Sequence, residues 1–206
     1  MDSPIAQLQA SYDRVADRYA AGFCGELSHK PFDRKMLDRL IEKAPASAPI
    51  CDLGCGPGQI AAYLNSRGTR ACGIDLSAGM VACARRLNPG IPFEQGNMLA
   101  LTGVPDGSFG GIAAFYSIVH IPHTSVLHAL AEMKRVLLPG AVLLLAFHIG
   151  QETLHKTNGG ANRPQARMKS ACSSPSPPSP MRECPRARSG CARQPPPART
   201  TASSRT

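Results

Sequence analysis

The stretch Ile50-Cys51-Asp52-Leu53-Gly54-Cys55-Gly56-Pro57-Gly58, followed by Gly73-Ile74-Asp75-Leu76-Ser77, decides the fold. Glycines at alternate positions after a short apolar run let a chain turn sharply from a strand into a helix, with its backbone closer to a ligand than any side chain would allow. Such a turn is a nucleotide seat. Asp75 stands 21 positions after Gly54, at the end of the next apolar run, where a carboxylate can accept hydrogen bonds from ribose hydroxyls. From Gly56, the segment Gly56-Pro57-Gly58-Gln59-Ile60-Ala61 also fits the dinucleotide fingerprint with alanine in the last place, so the pattern alone permits NAD or FAD. Asp52 argues otherwise: a carboxylate beside the turn repels a pyrophosphate and holds a cationic amino group. S-adenosylmethionine carries an ammonium and a sulfonium but no phosphate.

The elements around this turn follow from period and punctuation. A helix is expected around residues 8–21. A second, amphipathic one follows Pro31, with Asp33, Met36, Leu37, Leu40 and Ile41 at helical spacing. Strands are expected at 50–53, 70–74, 93–95, 111–116 and 141–148, and helices at 59–66, at 78–87 capped by Ser77, and at 124–137. Repeated βα units specify parallel pairing with right-handed crossovers, so ligands gather at the carboxyl ends of strands one, two and four.

In these motifs the chain resembles the class I S-adenosylmethionine-dependent methyltransferases, in their small-molecule branch. Asp52 to Gly58 looks like the family's first motif, Gly73 to Ser77 its second, and Gln95-Gly96-Asn97-Met98 the segment after strand three. Phe109 to Pro122 and Val136 to His148 resemble strand four with its loop and the approach to strand five. The resemblance runs from Tyr12 to His155. It implies an α/β, Rossmann-like doubly wound parallel sheet, S-adenosyl-L-methionine as cofactor, and methyl transfer to a small-molecule acceptor. It places cofactor contacts on Tyr12, Tyr19, Asp52, Gly54, Cys55, Gly56, Asp75, Leu76, Met80, Asn97, Met98, Tyr116 and Ser117. Asn97 departs from the family's usual aspartate; its amide oxygen can still accept a hydrogen bond, without charge. Methyl transfer needs little beyond alignment. Where the acceptor must lose a proton, His120 is the candidate base, with His123, Tyr116 and His148 as alternatives. An NAD-dependent oxidoreductase and an inactive cofactor-binding remnant are the competing readings.

The organisation expected is a helical cover over residues 1–45, a cofactor domain over 46–155 and a tail over 156–206. The net charge of +9 resides entirely in that tail, since residues 1–155 hold 13 basic and 13 acidic side chains against 10 and 1 afterwards. From Lys156 onward there is no Val, Ile, Leu, Phe, Tyr or Trp, and 9 of the 19 prolines fall there, so the tail cannot bury enough apolar surface to offset chain entropy. It reads as a disordered extension of the kind a shifted reading frame produces, with a basic, proline-rich arm that binds RNA, a membrane surface or a proline-recognising domain as the alternative. Without aromatics it offers no stacking platform for specific nucleic-acid binding. The family closes its sheet with two further strands that this tail cannot supply. Val142 to Leu145, a run that reads as buried on both faces, is then left as an open edge inviting self-association. Arg14 and Arg18 are expected to share a solvated face with Asp13 and Asp17. The cysteine spacings fit neither metal nor disulfides; with no leader before Tyr12 and no apolar run long enough to span a bilayer, they predict reduced thiols and a cytoplasmic protein.

Overall fold

The computed structural model describes residues 3–147. Helix α1 (Pro4–Phe23) starts at Ser3, whose hydroxyl accepts from the Ala6 N–H, and Pro4 occupies the first turn, where a missing N–H costs nothing. A short 3-10 turn (Glu26–His29) leads into α2 (Pro31–Lys43). Then come β1 (Ile50–Leu53), α3 (Gln59–Ser66), β2 (Ala71–Asp75), α4 (Ala78–Leu87), β3 (Phe93–Gln95), β4 (Phe109–Phe115), α5 (Val126–Val136) and β5 (Leu137–Ala146). All strand pairings are parallel, in the order β3-β2-β1-β4-β5, which is the expected Rossmann-like α/β sheet. The chain winds outward from β1 to β3 and then crosses back to β4. The crevice at this reversal lies beyond the carboxyl ends of β1 and β4, where sheets of this kind bind ligands.

Strand β1 is buried at every position, and its alternate side chains divide the core. Ile50 joins Leu37, Leu40, Leu64, Val81 and Phe93 in one layer. Cys51 and Leu53 join Leu101, Ile112, Met133 and Val136 in the other. Cys72 is the register partner of Cys51 on the neighbouring strand. Ser77 caps α4 as expected, its Oγ accepting from the Met80 N–H at 3.1 Å.

Five elements differ in their bounds from the sequence reading: α1 runs four residues further back and two further on, β2 lies one residue later, and α5, β4 and β5 differ as follows. A 3-10 turn at His123–Ser125 delays α5 to Val126, and β4 ends at Phe115 because Tyr116 adopts a left-handed conformation at φ 55°. Strand β5 begins at Leu137 and includes Pro139 and Gly140, the irregularity being absorbed by a register shift between Phe109 and Gly111 of β4. None of its residues is fully buried, in contrast to the expectation for residues 142–145, because β5 forms a flank of the sheet among the described residues. His148 and the 156–206 tail lie outside those residues.

The end of β1 is fixed against the end of β4. Ser117 Oγ donates to the Leu53 carbonyl at 2.8 Å, and Gly54, at φ 78°, passes so close that a Cβ there would sit 2.3 Å from Ser117 Cβ. Gly54→Ala therefore combines a left-handed backbone penalty with overpacking, and thermal unfolding should show a loss of about 2–4 kcal/mol.

Candidate functional site

A cleft of about 240 Å³ opens at the crevice between β1 and β4. All fourteen residues singled out above, Tyr12, Tyr19, Asp52, Gly54, Cys55, Gly56, Asp75, Leu76, Met80, Asn97, Met98, Tyr116, Ser117 and His120, line it. The alternative base His123 does not line it. The sequence reading missed an apolar rim of Ile5, Leu8, Phe23 and Ile121 and a polar corner of Glu26, Lys30 and Gln59. The face of α1, had the helix been extended back to Pro4 and on to Phe23, would have found the first three.

The floor of the cleft is the glycine turn, and its amide donors are consumed internally. The Gly54 and Cys55 N–H groups both reach the Ile74 carbonyl, at 2.7 and 3.1 Å, and the Gly58 N–H reaches the Cys55 carbonyl at 2.9 Å. The Gly56 N–H donates to Asp75 Oδ2 at 2.8 Å, while Asp75 Oδ1 receives the Ser77 N–H at 2.8 Å. Asp75 thus braces the turn from the end of β2. Burial raises its pKa, against the opposing effect of those two N–H donors.

Asp52, expected to face a ligand amine, is 1 % exposed, and its Oδ2 accepts the Ala61 N–H at 3.1 Å. It caps α3, whose own cap position is Gly58 at φ 85°, with no side chain to offer. Burial pushes the Asp52 carboxyl up to about 8, outweighing the Ala61 N–H bond that favours the anion.

The walls come from α1 and from the loop after β4. Tyr12 Oη lies 3.0 Å from Nε2 of His120, their rings meeting edge to face, and Tyr19 stacks on Phe23 at 4.3 Å between centroids. Burial, with Tyr19 and the Asp75 carboxylate adding to it, pushes Tyr12 up to about 12, so its hydroxyl stays protonated. At the polar corner, Lys30 Nζ pairs with Glu26 at 2.8 Å and lies 4.7 Å over the Tyr116 ring. The Tyr116 hydroxyl reaches Asp33 at 3.4 Å. Gln59 Nε2 donates to the second oxygen of Glu26 at 2.9 Å; a carboxylate can only accept, so this contact sets the amide orientation. Gln59 Oε1 is then buried without a donor. On the opposite side Asn97 Oδ1 accepts the Leu99 N–H at 2.9 Å.

Comparison with known proteins places this geometry. Residues 50–140 match a family described as a methyltransferase domain. The trans-aconitate 2-methyltransferase of Methylobacterium nodulans is 37% identical over 108 residues, which are 50% of this chain and 40% of that protein. The malonyl-[acyl-carrier protein] O-methyltransferase of Enterobacter lignolyticus is 31% identical over 136 residues, 65% of this chain and 50% of that one. Among solved structures, CalS10, an amino pentose methyltransferase from Micromonospora echinaspora, superposes with a TM-score of 0.51 at 27% identity over 58% of this chain and 51% of its own. The chain spans about half the length, or less, of the curated relatives it matches.

The site has a pH signature in stability. Asp52 is a carboxylic acid whose folded pKa lies above its unfolded value of 3.8, so its contribution is fully present below that value and is lost as pH rises towards about 8. Across that window the loss approaches about 1.4 kcal/mol per pH unit, with Asp75 acting in the same direction. Asp52→Asn keeps an acceptor for Ala61 and cannot ionise; denaturant unfolding at pH 5 and pH 8 should show a markedly flatter dependence in the variant.

Proposed function

We propose, from the premise that residues 50–140 are a domain of the class I S-adenosylmethionine-dependent methyltransferases, that this chain binds S-adenosyl-L-methionine and transfers its methyl group to a small-molecule acceptor. One observation carries the reading. The N–H groups that the glycine turn would offer to a pyrophosphate are taken by the chain's own carbonyl and carboxyl oxygens, Gly56 by Asp75, and that of Ala61 in the following helix is taken by Asp52. A dinucleotide would meet carboxyl oxygens where it needs donors, which disfavours the NAD reading. A cationic, phosphate-free adenosine compound suits the same surface.

The residues present fit that cofactor. Gln59 Oε1, buried and unpaired, needs a donor, and Gly56 leaves open space beside Tyr19, whose Cε1 would stand 3.9 Å from an added Cβ. In this reading Asp75 accepts from the ribose hydroxyls, Asn97 and Met98 flank the adenine, and Gln59 and Asp52 meet the amino-acid end. When bound, the cofactor supplies an electrophilic methyl group on a positively charged sulfur. The chain's own part is to orient and to exclude water, with Tyr12, Tyr19 and the apolar rim as the cover. His120, exposed at the mouth and held at Nε2 by Tyr12, is the base this geometry supports for an acceptor that must lose a proton. Tyr116, raised by burial and bound to Asp33, is not suited to that task.

Two further parts of the proposal concern setting. The flank of β5, unpaired among the described residues, supports association of the chain with a second copy. Cys24, Cys51, Cys55, Cys72 and Cys83 are free thiols, which supports a reducing cytoplasmic location; among the described residues no helix is long and apolar enough to cross a membrane.

Calorimetric titration tests the assignment. S-adenosylhomocysteine, the demethylated product, should bind the chain in preference to NAD, and Asp75→Ala should weaken it by about 1.5–3 kcal/mol, the range for hydrogen bonds to charged groups. Equal affinity for NAD, or undiminished affinity in the variant, would sink the proposal.

A further inference from the structure

Helix α1 is tied to the cofactor cleft by a residue that does not face it. Asp13, adjacent to Tyr12, turns its carboxylate to the start of α4, where Oδ1 accepts the Ser77 hydroxyl at 2.5 Å and the Gly79 N–H at 2.9 Å. The sequence reading placed Asp13 and Asp17 on a solvated face with Arg14 and Arg18. All four are exposed, and Asp17 also takes Arg86 of α4 at 2.6 Å, while Ala16 and Ala20 on the inner side of α1 pack on Met80 and Cys83. The helices approach so closely at Gly79 that an added Cβ would stand 3.1 Å from Ala16 Cβ and 3.2 Å from Asp13 Cα.

Ser77 joins this contact to the site. It is fully buried, and while its hydroxyl donates to Asp13 its N–H donates to Asp75. A continuous run of hydrogen bonds therefore leads from the Gly56 N–H through the Asp75 carboxylate and Ser77 to Asp13 and the Gly79 N–H. The Asp13 charge also lies at the amino end of α4, a ten-residue helix whose dipole favours an anion there.

We infer that Asp13 is the positioning residue for the aromatic cover: it latches α1 to the Asp75–Ser77 turn so that Tyr12 stands over the cleft, coupling closure of α1 to occupancy of the cofactor site. The inference rests on the function proposed above. Without the latch, α1 samples positions off the cleft, and a ligand must order it on binding. Apparent affinity falls by the fraction of chains that are closed, although no ligand contact has been removed.

Two measurements test it on the full chain. The first is amide hydrogen exchange of α1 without ligand, which should quicken in Asp13→Ala and be restored largely by Asp13→Asn, whose amide oxygen still accepts. The second is calorimetric titration with S-adenosylhomocysteine. Asp13→Ala should weaken binding by about 10-fold. Because Asp13 acts through Tyr12, the same change in a Tyr12→Ala background should cost less than about 2-fold. Independent, multiplying losses would overturn the coupling, as would wild-type affinity in Asp13→Ala or unchanged exchange in α1. If α1 loosens in Asp13→Ala while the unaltered chain binds no S-adenosylhomocysteine, the latch stands and the cofactor assignment falls.

Discussion

The carboxylate of Asp75 is the interaction on which the cleft depends. It stands at the last position of β2, and through its two oxygens it holds the Gly56 N–H of the turn after β1 and the Ser77 N–H that opens α4. A bridge between two successive strand ends fixes their relative height, and in a parallel sheet that height sets where helices α3 and α4 begin. The group is mostly buried, so its partners must be in place for it to remain ionised. A side chain that braces its own turn in this way is held in one orientation at the cleft, so a ligand group bound there would not have to order it.

Asp52 performs a different task with the same chemistry. Gly58 must take a left-handed backbone to pass from the turn into α3, and a glycine cap leaves the first turn of the helix without a side-chain acceptor. Asp52 supplies it from within β1. The cost is a carboxyl group with almost no access to water, which resists ionisation up to about pH 8. The two aspartates between them take the Gly56 and Ala61 N–H groups of the turn and helix start, which removes those two donors from what a phosphate would meet there. Tyr116 completes the arrangement from β4: its left-handed backbone is uncommon for a bulky residue and directs the chain away from the sheet toward Ser117 and His120.

The relatives that this chain resembles extend well beyond the shared segment, and the family match covers residues 50–140, from β1 to the early part of β5. This matches the physics of the described residues. Every element from β1 to β4 contributes side chains to the Asp75 cleft or to the core beneath it, and β5 packs Leu143, Leu144 and Leu145 against the two core layers at only partial burial. Apolar strands of that kind, in parallel sheets, are ordinarily covered on both faces.

Local order in the chain was enough to specify the alternation of strands and helices. Apolar runs of four to seven residues, glycine punctuation and Ser77 before α4 each act within a few residues, so β1, α3, α4 and β3 have the bounds read from them. The cleft-lining set was legible for a similar reason, since residues at strand ends must converge once the sheet is parallel. Which atom meets which was not legible, because hydrogen bonds between Asp13 and Gly79, or between Gln59 and Glu26, join positions 66 and 33 residues apart and depend on the distance between helices. Asp52 shows the division most clearly. Its place beside the turn follows from one-dimensional spacing, but its use as a helix cap follows from a three-dimensional fact: Gly58 has no side chain, and β1 directs a carboxyl group to the spot where one was needed.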